Sequence, residues 1–181
     1  MDAMRRLAAL APVLAVIFLA GVAGAQQHNA DAPINFAAGT IELQDRANRA
    51  VLSGDVRVQQ ANLTLTSDRL TVAYTGQVLE GNPQVSRLDA AGDVVVRRPD
   101  QTARAQYAVY DLNRRLITMV GGVTLTEGAN TINGGRLTIN LDTGRAVIDG
   151  SAVGGGAVAP DGVERQGGRV TGTFSVPQRG N

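Results

Sequence analysis

The chain has 181 residues, with 17 basic against 16 acidic side chains, one histidine, no cysteine and 3% aromatics. A formal net charge of +1 leaves no basic excess for phosphate backbones, which argues against nucleic acid as the main ligand. The missing cysteines exclude disulfides, zinc ribbons and thiol nucleophiles, and one imidazole leaves little for histidine-based hydrolysis or metal binding.

Residues 1–25 read as a cleaved signal peptide. Arg5 and Arg6 give the positive start, and residues 7–20 are a nearly uncharged apolar run containing Pro12. Ala23-Gly24-Ala25 then supplies the small residues that a signal peptidase inspects. The run is shorter than the roughly 20 residues of a spanning helix, so export is expected rather than anchoring. Residues 26–33 form a polar, flexible lead-in. His28 lies in it, and neither a hydrolytic triad nor a metal site is expected to form around it.

From Ile34 the hydrophobic period is two. Val56-Arg57-Val58, Leu63-Thr64-Leu65-Thr66, Leu70-Thr71-Val72 and Leu137-Thr138-Ile139-Asn140-Leu141 alternate apolar with polar residues. Their richness in Thr, Val, Ile and Leu is that of half-buried strands. Ser53-Gly54-Asp55, Gly81-Asn82-Pro83, Gly121-Gly122, Asn133-Gly134-Gly135 and Asp142-Thr143-Gly144 read as tight turns between them. No helical stripe follows the leader. The fold class is all-β.

The chain also repeats. Residues 54–72 fall without a gap on residues 121–139, so that Gly54 meets Gly121, Val56 meets Val123 and Leu65 meets Ile132. A fainter copy starts at Gly92-Asp93-Val94, which places the units about 30 to 40 residues apart. Units of a few short strands cannot bury a face alone and must stack, which predicts a jelly-roll-like pair of sheet layers. The domain is expected to span residues 34–177, with a glycine-rich connector over 154–168 and a tail at 178–181.

One face of these strands is aliphatic. It takes in Ile34, Phe36, Ile41, Leu43, Leu52, Val56, Val58, Leu63, Leu65, Leu70 and Val72, and then Met119, Val123, Leu125, Ile132, Leu137 and Ile139. Two readings stay open on the residues alone: a filled core, or a slot for acyl chains, each methylene of which gains about 0.8 kcal/mol on leaving water. Ile34-Asn35-Phe36 and the segment containing Val170 and Phe174 are terminal strands without the charges or mid-strand proline that blunt an edge. If open, they would let one molecule pair head to tail with the next. Asp55, Asp111 and Asp142 lie in turns, where local Asx bonding outweighs a glycosidase pair. The arginines read as a solvated face. No residue is expected to be catalytic or to bind a metal or cofactor.

Residues 31–34 (Asp-Ala-Pro-Ile), 52–58 (Leu-Ser-Gly-Asp-Val-Arg-Val), 105–112, 122–126 and 134–141 together resemble the OstA-like family of lipopolysaccharide-transport proteins. The resemblance covers about residues 34–150, more weakly through 176. It implies a β-jelly-roll open at both ends, whose apolar interior holds the acyl chains of lipid A, and a periplasmic location. It further implies a bridge of end-to-end jelly rolls between the two membranes. An LptC-like inner-membrane protein would join the N-terminal edge (Ile34, Phe36) and an LptD-like outer-membrane protein the C-terminal edge (Val170, Phe174). The alternative is an envelope scaffold or adaptor of the same family that carries no lipid.

Overall fold

The computed structural model describes residues 28–76, 83–150 and 169–175. The leader, the connector over 154–168 and the tail lie outside the described residues, as do Gly81 and Asn82 of one expected turn.

Ten strands make one antiparallel sheet: β1 (Ile34–Ala37), β2 (Thr40–Gln44), β3 (Arg49–Gln60), β4 (Leu63–Thr75), β5 (Gln84–Arg97), β6 (Gln101–Asp111), β7 (Leu116–Glu127), β8 (Asn130–Asn140), β9 (Ala146–Asp149) and β10 (Thr171–Thr173). From β3 to β8 each strand pairs with its successor, and the sheet does not close. Two short strands tile each edge. β1 and β2 lie along opposite halves of β3, and β10 and β9 along opposite halves of β8.

Three of the expected turns are not turns. Ser53-Gly54-Asp55, Gly121-Gly122 and Asn133-Gly134-Gly135 lie inside β3, β7 and β8. The pairing shifts at the first two, between Ser53 and Val56 and between Val120 and Val123, and again in β5 between Ala91 and Val94. Each of these odd strands carries one residue more than its neighbour at that point, a β-bulge that bends and twists the strand. Two consecutive left-handed residues make each bulge: Gly54-Asp55, Gly92-Asp93 and Gly121-Gly122. Aspartate tolerates this conformation better than most side chains. Glycine is needed at the first position because a Cβ at Gly92 would run into the Asp68 side chain, and one at Gly121 would come 2.9 Å from Gln106 Cβ. The repeated glycines mark a seam across the sheet.

The seam divides every long strand into two short ones, in a first arm and a second arm. In the first arm the inward residues line up as rungs: Ala50, Val72, Leu88, Tyr110, Ile117 and Ile139 form one, and Leu52, Leu70, Ala90, Ala108, Met119 and Leu137 the next. In the second arm Val58, Leu65, Val96, Ala103, Leu125 and Ile132 form a rung that Phe36 extends. Apart from the half-buried Ile132 and Phe36, all of these belong to one buried cluster. The arms are therefore folded onto each other around a common interior, as a jelly roll requires. Across the seam the bulged β3 keeps its inward parity (Leu52, Val56), whereas β4, one residue shorter there, changes from odd-numbered (Leu63, Leu65) to even-numbered (Leu70, Val72) inward residues, and all are buried on one side.

Candidate functional site

Most of the aliphatic face lies where its alternation puts it. Leu52, Val56, Val58, Leu63, Leu65, Leu70, Val72, Met119, Val123, Leu125, Leu137 and Ile139 are buried between the arms. Ile34 and Phe36 of β1 pack half-buried against them, and Ile132 is half-buried near the other edge. Ile41 and Leu43 differ. They remain 53% and 59% exposed on β2, which pairs only with β3 and has no neighbour beyond it.

That exposure has a geometric reason. At the N-terminal edge the arms do not meet completely, and a cavity of about 200 Å³ opens between them. Phe36 reaches it from the second arm, and Leu52, Val72 and Tyr74 from the first, with Ile41 and Leu43 at its rim. The Tyr74 hydroxyl turns away to Asp45, 3.4 Å distant, so the lining presents carbon. An apolar cavity of this size loses free energy when empty and gains it from an apolar guest.

The C-terminal edge is built differently. β10 contributes only Thr171–Thr173, and residues 169–175 are all exposed. Phe174 is 64% exposed, and Val170 is exposed as well. Among the described residues, the register with residues 131–133 and the Asn130 side chain, which accepts from the Ser175 backbone at 2.9 Å, fasten this segment.

Two polar features were illegible in the sequence. Gln60 points into the apolar interior and is fully buried. Its Nε2 donates to the carbonyls of Ala30 (2.8 Å) and Ala32 (3.0 Å), which can only accept and so fix the amide's orientation. Its Oε1 therefore accepts, from the Tyr110 hydroxyl at 2.7 Å and from His28 Nε2 at 3.3 Å. Burial pushes the Tyr110 phenol up to about 12. His28 is buried too, with Nδ1 3.0 Å from Asn62 Oδ1. The polar lead-in is thus fastened across residues 28–32, and the imidazole, unremarkable by sequence, has a structural task. Nearby, Arg115 reaches Asp142 (2.9 Å) and Asp31 (2.7 Å). The hydrogen bond that Arg115 donates to Asp142 and the charge of Asp31 push the guanidinium pKa up.

Of the three aspartates expected in turns, one makes the local Asx bond, while Asp142 pairs with Arg115 instead. Asp111 Oδ1 accepts the Arg114 N–H at 2.9 Å, and Asp55 sits in the seam. Among the described residues no group of three or more His, Asp or Glu side chains is placed to hold a metal ion.

The site is thus an aliphatic interior between the arms of an unclosed antiparallel sheet, with an edge at each end. Residues 36–145 match the family described as "LptA/(LptD N-terminal domain) LPS transport protein". The chain belongs to this lipopolysaccharide-transport family, whose members bind and transport and are not enzymes. It is 32% identical over 123 residues to an uncharacterised protein of Rhizobium meliloti (strain 1021), a match that spans 66% of each chain. Among solved structures it is similar to LptH of Pseudomonas aeruginosa, described as the LptA-homologous periplasmic component of the lipopolysaccharide transport device. That match has a TM-score of 0.66 and 18% identity, and covers 82% of this chain and 99% of the other. The shared fold is the open jelly roll expected from the alternation and the repeats.

Proposed function

We propose that this chain is a periplasmic carrier that shields the acyl chains of lipid A between its two arms while lipopolysaccharide crosses the envelope. The observation that carries the reading is the run of apolar rungs from one open edge to the other. It starts at Ile34 and Phe36, continues through the residues equivalent to Val58 and Leu70 on each strand, and ends at Ile132 and Leu137. Strands β3 to β8 add a mostly aliphatic side chain to each rung, with Tyr110 and Gln60 as the exceptions at the tips of the arms, so a chain moving along the interior meets largely the same chemistry. No step needs a cofactor, and the free energy comes from keeping methylenes out of water.

The edges suit assembly by strand addition. In the proposed bridge an LptC-like inner-membrane protein pairs with the N-terminal edge at Ile34 and Phe36. An LptD-like outer-membrane protein, or a further copy of this chain, pairs with the C-terminal edge at Val170 and Phe174. Export by the leader over residues 1–25 places the chain in the periplasm. The exported protein is therefore expected to co-purify with lipopolysaccharide, identified by mass spectrometry of the extracted lipid. A lipid-free preparation from cells that make lipopolysaccharide, paired with concentration-dependent assembly, favours instead the scaffold reading, which the near-complete burial of the rung residues supports.

A further inference from the structure

An apolar track gives no reason for a buried glutamine. Gln60 is tolerated because all its hydrogen-bonding capacity is used, and its partners come from two distant places: β6 and residues 28–32. Residues 28–32 reach both arms. At one end they hold the tip of the second arm, where His28 meets Asn62 in the β3–β4 turn and Gln60 at the end of β3. At the other end Asp31 holds Arg115, in the β6–β7 turn at the tip of the first arm, and Arg115 also holds Asp142 in the β8–β9 turn. The Tyr110–Gln60 bond joins the same two arms from inside.

We propose that residues 28–32 form a latch across the lips of the folded sheet, which must release for the interior to take in a multi-chain lipid. The inference rests on the lipid cargo proposed above. The cavity of about 200 Å³ is little larger than the roughly 150 Å³ that holds one benzene, and the rest of the interior is packed side chain against side chain. Several acyl chains enter only if the arms part. The backbone ladders run within each arm and survive that movement. The bonds that span the gap do not: Asp31 to Arg115, on a segment that His28 and Gln60 anchor to the second arm, and Tyr110 to Gln60. They are also well suited to reversal. Water replaces each of them once the lips open, and an exposed pair such as Arg115–Asp31 holds only weakly.

The test follows uptake of fluorescently labelled lipopolysaccharide by the mature exported protein, with His28→Ala and Asp31→Ala as latch variants. A latch that limits the open population predicts uptake about fivefold faster or more in each variant. In the wild type, hydrogen exchange at the amides of Asp31 and Ala32, which bond to Asn29, should accelerate when the probe is bound. This second measurement needs no variant to fold. Unchanged uptake rates in folded variants, or unchanged exchange in the loaded wild type, overturn the latch and leave the cargo reading standing. Failure of every protein, wild type included, to take up the probe overturns the cargo reading and the latch with it.

Discussion

The two edges of the sheet are alike in plan and unlike in content. Each is finished by two short strands that tile one long one. At the N-terminal edge β1 sends Ile34 and Phe36 inward against the core, β2 holds Ile41 and Leu43 over a cavity, and residues 28–32 tie the arms together. At the C-terminal edge β10 is Thr-Gly-Thr, wholly exposed, and adds nothing to the interior. The N-terminal edge is therefore part of the folded core with an opening beside it. β10 is an attachment that another strand could replace with little loss of packing, because strand exchange at an edge keeps the backbone bonds and costs only the side-chain contacts.

Substitutions can break that contrast. The largest effect is expected in the shared interior, as a reference for both edges: Leu70→Ala, at a fully buried rung position, should cost about 2–5 kcal/mol in urea unfolding. The knot beside the N-terminal edge gives a pH signature. Tyr110 is neutral in the folded protein, with its pKa raised from 10.0 to about 12, mainly by burial. The folded state thus holds its proton more tightly than the unfolded state does. The stabilisation is complete below pH 10 and is lost as pH rises through about 12, a fall of roughly 2–3 kcal/mol. Denaturant titrations between pH 9 and 12 check this, and Tyr110→Phe should flatten the profile. At the N-terminal edge Phe36→Ala should cost about 1–2 kcal/mol, less than a fully buried phenylalanine because its ring is only half-buried. At the C-terminal edge Phe174→Ala should change stability by less than about 0.5 kcal/mol while weakening concentration-dependent assembly, measured by sedimentation. Equal stability losses at Phe36 and Phe174 would erase the difference between the edges.

What the sequence made legible follows from how local each signal is. Alternation over four to six residues gives the strands and most of the lining on β3, β4, β7 and β8, because inward and outward positions differ at every step, but not Leu88, Val94 and Val96 of β5 or Ile117 of β7. The glycine starts at 54, 92 and 121 are visible as a repeat, but the sequence around 54 and 121 suggests turns, since glycine pairs of this kind serve a turn and a bulge equally well. Only pairing to neighbouring strands decides between the two, and that information is not local. The inward residues of β6 were missed for a related reason: Ala103, Ala105 and Ala108 are small and carry a weak hydrophobic signal, yet they fill rungs between larger neighbours. His28, Gln60 and Tyr110 had no signal at all. Each is an ordinary residue in its own segment, and their meeting depends on the folding of one arm onto the other.

On the proposed function, lipid travels inside the fold and not over its outer surface. Phe36 faces the interior, whereas Tyr107, 57% exposed, stands on the outer face of β6. Both are aromatic, so a photo-crosslinking benzoylphenylalanine suits either position. In cells making lipopolysaccharide, the account predicts a lipopolysaccharide adduct with the residue at 36 and none at 107. An adduct at 107 alone, or at neither position in folded protein, would contradict it.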